Sequence, residues 1–377
     1  MLALVVAAAV LAAGSLALWQ GGTAAPGGKT RTYYIAADEV AWDYAPSGYN
    51  EITGEPFGET ENVFVAHGPE RIGSVYVKAL YREYTDGTFT ALKERTPAWQ
   101  HLGALGPLIR AVVGDTIVVV FKNNARFPFS VHPHGVFYEK DSEGAPYDDG
   151  TWGADTADDA VPPGGMHTYT WGVPERAGPG PMEGSSVLWM YHSHVDEPGD
   201  TNAGLIGPMV VTAKGMGGAD LRPRDVDREF VNMFTVFDEN TSPYIDYNII
   251  TYVGGQYATS AAQREALKGD DDFIESNLMH SINGYVYGNL PLDSLTMELG
   301  ERVRWYLLGM GTEVDLHTPH WHGQTVVWMG MRTDIVELLP ASMKTVDMVP
   351  DNRGVWLYHC HVNDHITAGM IARFRVT

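Results

Sequence analysis

The chain has 377 residues, enough for two or three domains, and 44% of them are apolar. Its 47 acidic against 25 basic side chains give a formal charge of −22. That excludes nucleic acid as the main partner and favours solubility and the gathering of cations. The 42 glycines and 22 prolines are too few for disorder and suit a turn-rich, all-β protein.

Residues 1–28 open with an uncharged apolar run on the border between export signal and membrane span. The stretch reads as a signal peptide cut within Gly21–Gly28 or as an uncleaved N-terminal anchor, so the folded part is expected outside the cytoplasm. The single cysteine, Cys360, excludes an intrachain disulfide. A free thiol in an oxidising compartment is a liability unless something occupies it, and a metal is the obvious occupant.

From there the chain reads as strands. Asp115–Lys122, Gly207–Thr212 and Arg302–Leu308 are β-branched or apolar runs, and Met370–Val376 alternates apolar with basic residues. The best helix candidate is short, Ser260–Leu267, in an acidic region that resembles a linker. The expected fold class is all-β with two β-sandwich domains, 29–213 and 228–377, joined by the Gly/Pro/charge-rich linker 214–227.

The two halves repeat one another. His132-Pro-His-Gly135, Tyr191-His-Ser-His194 and Gly204–Met209 recur in order as His317-Thr-Pro-His-Trp-His-Gly323, Tyr358-His-Cys-His361 and Ala368–Ile371. Nine of the fourteen histidines fall in these clusters, and a tenth, His365, follows His361 by four residues. An i, i+2 pair on a strand sets both imidazoles on one face. Imidazole, thiolate and thioether together suit copper, and His₂Cys with a weak Met is the blue-copper pattern. Zinc prefers more cysteine or an acidic ligand. His67, His101 and His167 fit no cluster and read as structural.

The clusters resemble those of the multicopper oxidases, which are built from Greek-key cupredoxin domains. The resemblance implies a type 1 copper on His317, Cys360 and His365 with Met370 axial, and a type 2 copper on His132 and His320. It implies two type 3 coppers, one on His134, His192 and His361, the other on His194, His322 and His359. Ser193 and Phe129 stand where the second half has Cys360 and His317, so the first domain is expected to lack a type 1 site. Each domain then offers four histidines to one trinuclear cluster. In two-domain members that cluster forms between subunits of a homotrimer, which is expected here.

Within the family the chain is similar to ceruloplasmin-like ferroxidases. Tyr33–Ala37, Gly68–Gly73, Val236–Asn240, Ser281–Gly284 and Trp305–Gly311 carry the likeness, which runs through nearly all of 30–377. It implies an Fe(II) site of Glu275, His280 and Asp364, with Glu313 from a neighbouring domain, and Fe(II) oxidation coupled to four-electron reduction of O₂ to water. Asp158 and Asp159 match a Ca²⁺ loop of that group. Asp196 and Glu197, just past His194, are candidate proton donors to the cluster. Three other readings stay open: a laccase-like oxidase of phenols or aromatic amines, a copper nitrite reductase, and an electron carrier without turnover. A carrier needs only the type 1 set.

Overall fold

The computed structural model describes residues 28–312 and 314–377. The apolar N-terminal stretch and Glu313 therefore lie outside the described residues. Among those described, no helix is long and apolar enough to cross a membrane.

Four sheets form two sandwiches. The first pairs the sheet Val75–Tyr84, Thr30–Asp43, Thr116–Asn123, Met166–Gly172 with the sheet Ile109–Val112, Ile206–Thr212, Ser186–His192, His132–Pro133. The second pairs Leu278–Ile282, Arg228–Asp238, Val303–Gly309, Ser342–Met348, Val326–Trp328, Met331–Thr333 with Thr296–Met297, Ile371–Val376, Gly354–Cys360, Pro319–Trp321. The β-branched run beginning at Thr116 alternates buried and half-buried side chains, as a sandwich strand should. In both sandwiches the first long strand runs parallel to a later one, Thr30↔Thr116 and Arg228↔Val303, which closes the Greek key.

One expectation needs correction. Helix Ala261–Lys268 exists, capped by Ser260 accepting from Gln263 N, but its surroundings are not a linker. Helical segments from Ile245–Asn248 to Asp271–Ser276 bury Ile249, Tyr257, Leu267 and Phe273 in an apolar core. The polar composition of 260–272 masked this, because the apolar residues that anchor the excursion are few and widely spaced.

That core is shared between the sandwiches, joining Tyr76, Leu188 and Val210 of the first to Val231, Phe237 and Leu308 of the second. Polar bonds cross the same seam. Arg110 meets Glu229 at 2.7 Å, and Arg304, 2% exposed, donates to Ser185 and Ser186 while pairing with Asp347. Buried charges persist only when paired in this way. Lys78 and Glu239, both fully buried, form an ion pair there.

His101 is structural, as expected. It donates from Nδ1 to Ala98 O (2.9 Å) and accepts from Val231 N at Nε2 (3.1 Å), so it is neutral. Burial pushes its pKa down to about 3. The unfolded chain then binds a proton that the folded one refuses, so stability should fall as pH drops below the ordinary value of 6.5. The expected slope from this group is about 1.4 kcal/mol per pH unit. Urea midpoints of wild type and His101→Gln between pH 6.5 and 4 test this; equal slopes would remove His101 as a cause.

Candidate metal centres

Each His-x-His pair sits at a strand end. In the first sandwich His132 pairs across from His192, and in the second His320 pairs across from His359. Antiparallel pairing brings four imidazoles together in each case, with ring centroids 5.1–5.5 Å apart for His132/His192, His132/His194 and His134/His192. The second quartet, His320, His322, His359 and His361, is packed alike. Gly135 and Gly323 follow the paired histidines with φ of +78° and +67°. A Cβ there would meet Trp189 at 2.3 Å or Trp356 at 2.8 Å, so glycine is required for the turn at both positions.

The backbone sets the tautomers. His132 Nδ1 donates to Glu143 O (2.7 Å), His192 Nδ1 to Ser193 O (3.0 Å) and His359 Nδ1 to Cys360 O (2.8 Å). Each leaves Nε2 as the lone-pair nitrogen, so the carbonyl bond at Nδ1 aims the ring's other nitrogen at a metal. Nε2 atoms lie 3.0 Å apart in His134/His192 and in His322/His359. Both pairs are ones assigned to a common type 3 copper. Burial lowers His134 to about 4 and His192 to about 3, so these imidazoles are neutral and able to bind metal at neutral pH.

The thiol site is tighter. Ligand atoms of His317, Cys360 and His365 all lie within 4.8 Å of one another, and all three residues are buried. His317 donates from Nε2 to Met310 O (2.9 Å), which leaves its buried Nδ1 without a partner. An orphaned buried nitrogen facing a thiol and a second imidazole fits a soft metal. Met370 is buried in the same core cluster, and its carbonyl accepts from Cys360 N at 3.1 Å.

The first sandwich keeps this scaffold without its donors. Ser130 N donates to Ser193 Oγ as Thr318 N donates to Cys360 Sγ. Ser193 N donates to Leu205 O as Cys360 N donates to Met370 O. Leu205 N donates to Asp200 O as Met370 N donates to His365 O. Phe129, Ser193, Asp200 and Leu205 thus stand for His317, Cys360, His365 and Met370. Sequence reasoning found the first two replacements. It missed Asp200 and Leu205, because the loop after Ser193 is longer by two residues and shifts the spacing. Ser193 Oγ donates to Asp200 at 2.6 Å, so the site is closed by a hydrogen bond.

Beside the thiol site, His280 sits on strand Leu278–Ile282 with its ring centroid 5.3 Å from His365. It donates from Nδ1 to Leu278 O (2.9 Å), leaving Nε2 free. Glu275, at the end of helix Asp271–Ser276, and Asp364, in the first turn of Asn363–Thr367, are exposed. Burial and the neighbouring Asp364 charge push the Glu275 carboxyl above its usual range. The three are neighbours, yet they do not close to the 4.8 Å spacing of the thiol site. Two carboxylates and an imidazole with room between them suit a labile, harder cation.

Elsewhere, Asp158 is fully buried, accepts from Gly144 N (2.7 Å) through Oδ2, and leaves Oδ1 unpartnered. Asp159 beside it is raised to about 6 by burial and by the Asp158 charge. Glu197 lies 3.7 Å from His194. His67 and His167 each bond one carbonyl, of Tyr252 and Asp141.

The sequence matches the multicopper oxidase family over residues 84–215 and again over 260–377. It is 47% identical to human Ferroxidase HEPHL1 over 350 residues, covering 92% of this chain and 29% of that protein. Human hephaestin is 44% identical (93% and 29% covered) and human ceruloplasmin 42% (92% and 30%). The chain therefore spans about a third of the length of these relatives. In fold it is similar to a crystal structure of a multicopper oxidase, with TM-score 0.57 and 18% identity over 94% of this chain and 92% of that one. A copper nitrite reductase from Nitrosomonas europaea is also similar, with TM-score 0.55 and 17% identity over 92% and 94%. The repeated histidine sandwiches and these matches place the chain in the multicopper oxidase family, a copper-binding family, as a ceruloplasmin-like member.

Proposed function

We propose that the protein is an extracytoplasmic ferroxidase that couples one-electron oxidation of Fe(II) to reduction of O₂ to water. What carries this reading is the gathering of Glu275, His280 and Asp364 against His365. His317, Cys360, His365 and Met370 hold the type 1 copper. His132 and His320 hold the type 2 copper; His134, His192, His361 and His194, His322, His359 hold the type 3 pair. Copper bound there supplies a one-electron acceptor at the thiolate site and O₂ reduction at the histidine cluster.

The chain's own residues then do the rest. Glu275 and Asp364 repel each other when empty and are relieved by a divalent cation, while His280 Nε2 completes the grip. Asp364 directly precedes His365, so substrate and acceptor are held by consecutive residues. Glu313 is the fourth iron ligand in this reading. Asp158 and Asp159 hold Ca²⁺, for which the unpartnered Asp158 Oδ1 is the support.

A phenol oxidase shares the copper sites but has no use for Glu275 and His280. A nitrite reductase needs its type 1 copper in the first domain, where Ser193 and Asp200 bond to each other. O₂ uptake by copper-loaded protein, with Fe(II) and a phenol as donors, decides between these. Glu275→Ala should weaken the Fe(II) reaction by about 10-fold or more and leave the phenol reaction intact. If both donors respond alike, the iron site is wrong.

The trinuclear cluster forms between subunits of a homotrimer in this proposal. In support, ring contacts join the histidines within each quartet, and none joins the two quartets among the described residues. Each quartet also keeps exposed or half-exposed members. Sedimentation of copper-loaded protein should give three times the chain mass; a monomer with its full copper complement would overturn this.

A further inference from the structure

Two neighbouring antiparallel strands of the first sandwich, Thr30–Asp43 and Val75–Tyr84, are paired right up to Asp43↔Val75. The connection between them needs only a short turn, yet it runs through residues 44–74, far beyond the about 2–5 residues usual for a hairpin. Long ordered loops of this kind are usually functional. This one lies across the second sandwich. Ser47 N donates to Asn289, Glu51 pairs with Arg373 at 2.9 Å, and Phe57 packs on Tyr287. The second sandwich answers in kind. Its own excursion, between Arg228–Asp238 and Leu278–Ile282, returns Tyr244 to Glu39 and Asn248 to the Val77 backbone.

The end of the first excursion meets the residues read above as the iron site. Phe64, buried in the short helix Asn62–Val65, sets its ring against His280 at 5.6 Å and 72°, edge to face. His280 also contacts the ring of His365, at 5.3 Å, so its imidazole packs on two rings. Tyr76 donates to Asn277 Oδ1 at 2.6 Å, and both are fully buried. Asn277 in turn donates to Phe273 O and Asn240 Oδ1. It is the C-cap of the helix carrying Glu275, and the strand carrying His280 begins at the next residue. The orientation of Glu275 and His280 therefore passes through groups of the first sandwich.

We propose that Phe64 and Tyr76 are positioning residues for Fe(II). The first sandwich, which has no thiol site of its own, orients the substrate-metal site of the second. This rests on the reading of Glu275, His280 and Asp364 as that site. Phe64 fixes the rotation of the His280 ring; Tyr76, through Asn277, fixes the junction from which Glu275 and His280 diverge. Neither touches the reacting ion.

Phe64→Leu and Tyr76→Phe, both small changes, test it in copper-loaded full-length protein. Each should raise KM for Fe(II) about 10-fold, the scale of a lost supporting partner, with kcat, phenol KM and the blue absorption unchanged. Calorimetric titration with Zn(II), which has no redox chemistry, should show the same weakening without turnover. Glu275→Ala is measured beside them. If Glu275→Ala weakens Fe(II) and Zn(II) binding while Phe64→Leu and Tyr76→Phe do not, the positioning role is overturned and the iron site stands. If Glu275→Ala also changes nothing, it is the iron site that fails. If phenol KM or the blue absorption shifts with Fe(II) KM, the two residues serve general packing and the proposal is overturned.

Discussion

Cys360→Ser is expected to abolish the blue absorption of copper-loaded protein. O₂ uptake should fall on the order of 10³-fold or more, beyond the about 10–100-fold that follows loss of a merely supporting partner. The sulfur lies 3.6 Å from His365 Nδ1 and accepts from Thr318 N at 3.3 Å. A hydroxyl can take over that hydrogen bond, but it is a harder donor and a poor match for copper. The fold should survive. Ser193 already occupies the equivalent place in the first sandwich, with Ser130 N donating to its Oγ at 3.0 Å. The informative comparison is colour against urea midpoint. A colourless variant with an unchanged midpoint supports Cys360 as ligand. A variant that keeps its blue colour sinks the assignment.

The second large effect is expected at the seam between the sandwiches. Lys78 donates to Glu239 and, at 2.6 Å, to Asn202 O; Tyr44 donates to Glu239 at 2.5 Å, and the ammonium lies 4.4 Å from the centre of the Phe237 ring. Burial pushes the lysine pKa down and the glutamate pKa up, and their attraction opposes both shifts. Removing one member strands the other. Lys78→Met should therefore cost about 3–5 kcal/mol, read as a lowered urea midpoint. The double variant Lys78→Met/Glu239→Leu should recover most of that loss, because a well-packed apolar pair is often as stable as a buried ion pair. If the single and double variants unfold together, the pair contributes nothing specific. Glu239 directly follows strand Arg228–Asp238, whose end pairs with Leu278, so the single variant should also loosen the segment carrying Glu275 and His280.

Much of this was legible in the chain itself. Strand runs such as Thr116–Asn123 and Val303–Gly309 appeared where β-branched and apolar residues demanded them, within about two residues at each end. The histidine pairs were legible because alternation along a strand is a local property: two residues apart means the same face. The helical excursion before Leu278 was misread, since its anchors Ile249, Tyr257, Leu267 and Phe273 are few and widely spaced, and they bury in a core that both sandwiches share. Asp200 and Leu205 were overlooked because equivalence there lies in backbone hydrogen bonds, which a two-residue difference in loop length hides.

The sequence alone determined the chemistry on offer: which donors exist, that they come in two matching quartets, and that only the second half has a thiol to join them. Those are matters of residue type and short spacing, and no tertiary contact can alter them. The tertiary structure decided which nitrogen of each histidine is free, because that depends on a carbonyl such as Glu143 O or Met310 O lying within reach. It also brought Phe64 to His280 and Tyr76 to Asn277 of the other sandwich, across more than 200 residues of chain in each case. Contacts of that range are set by how two sandwiches bury a common apolar face, a property of the packed whole that no local pattern carries.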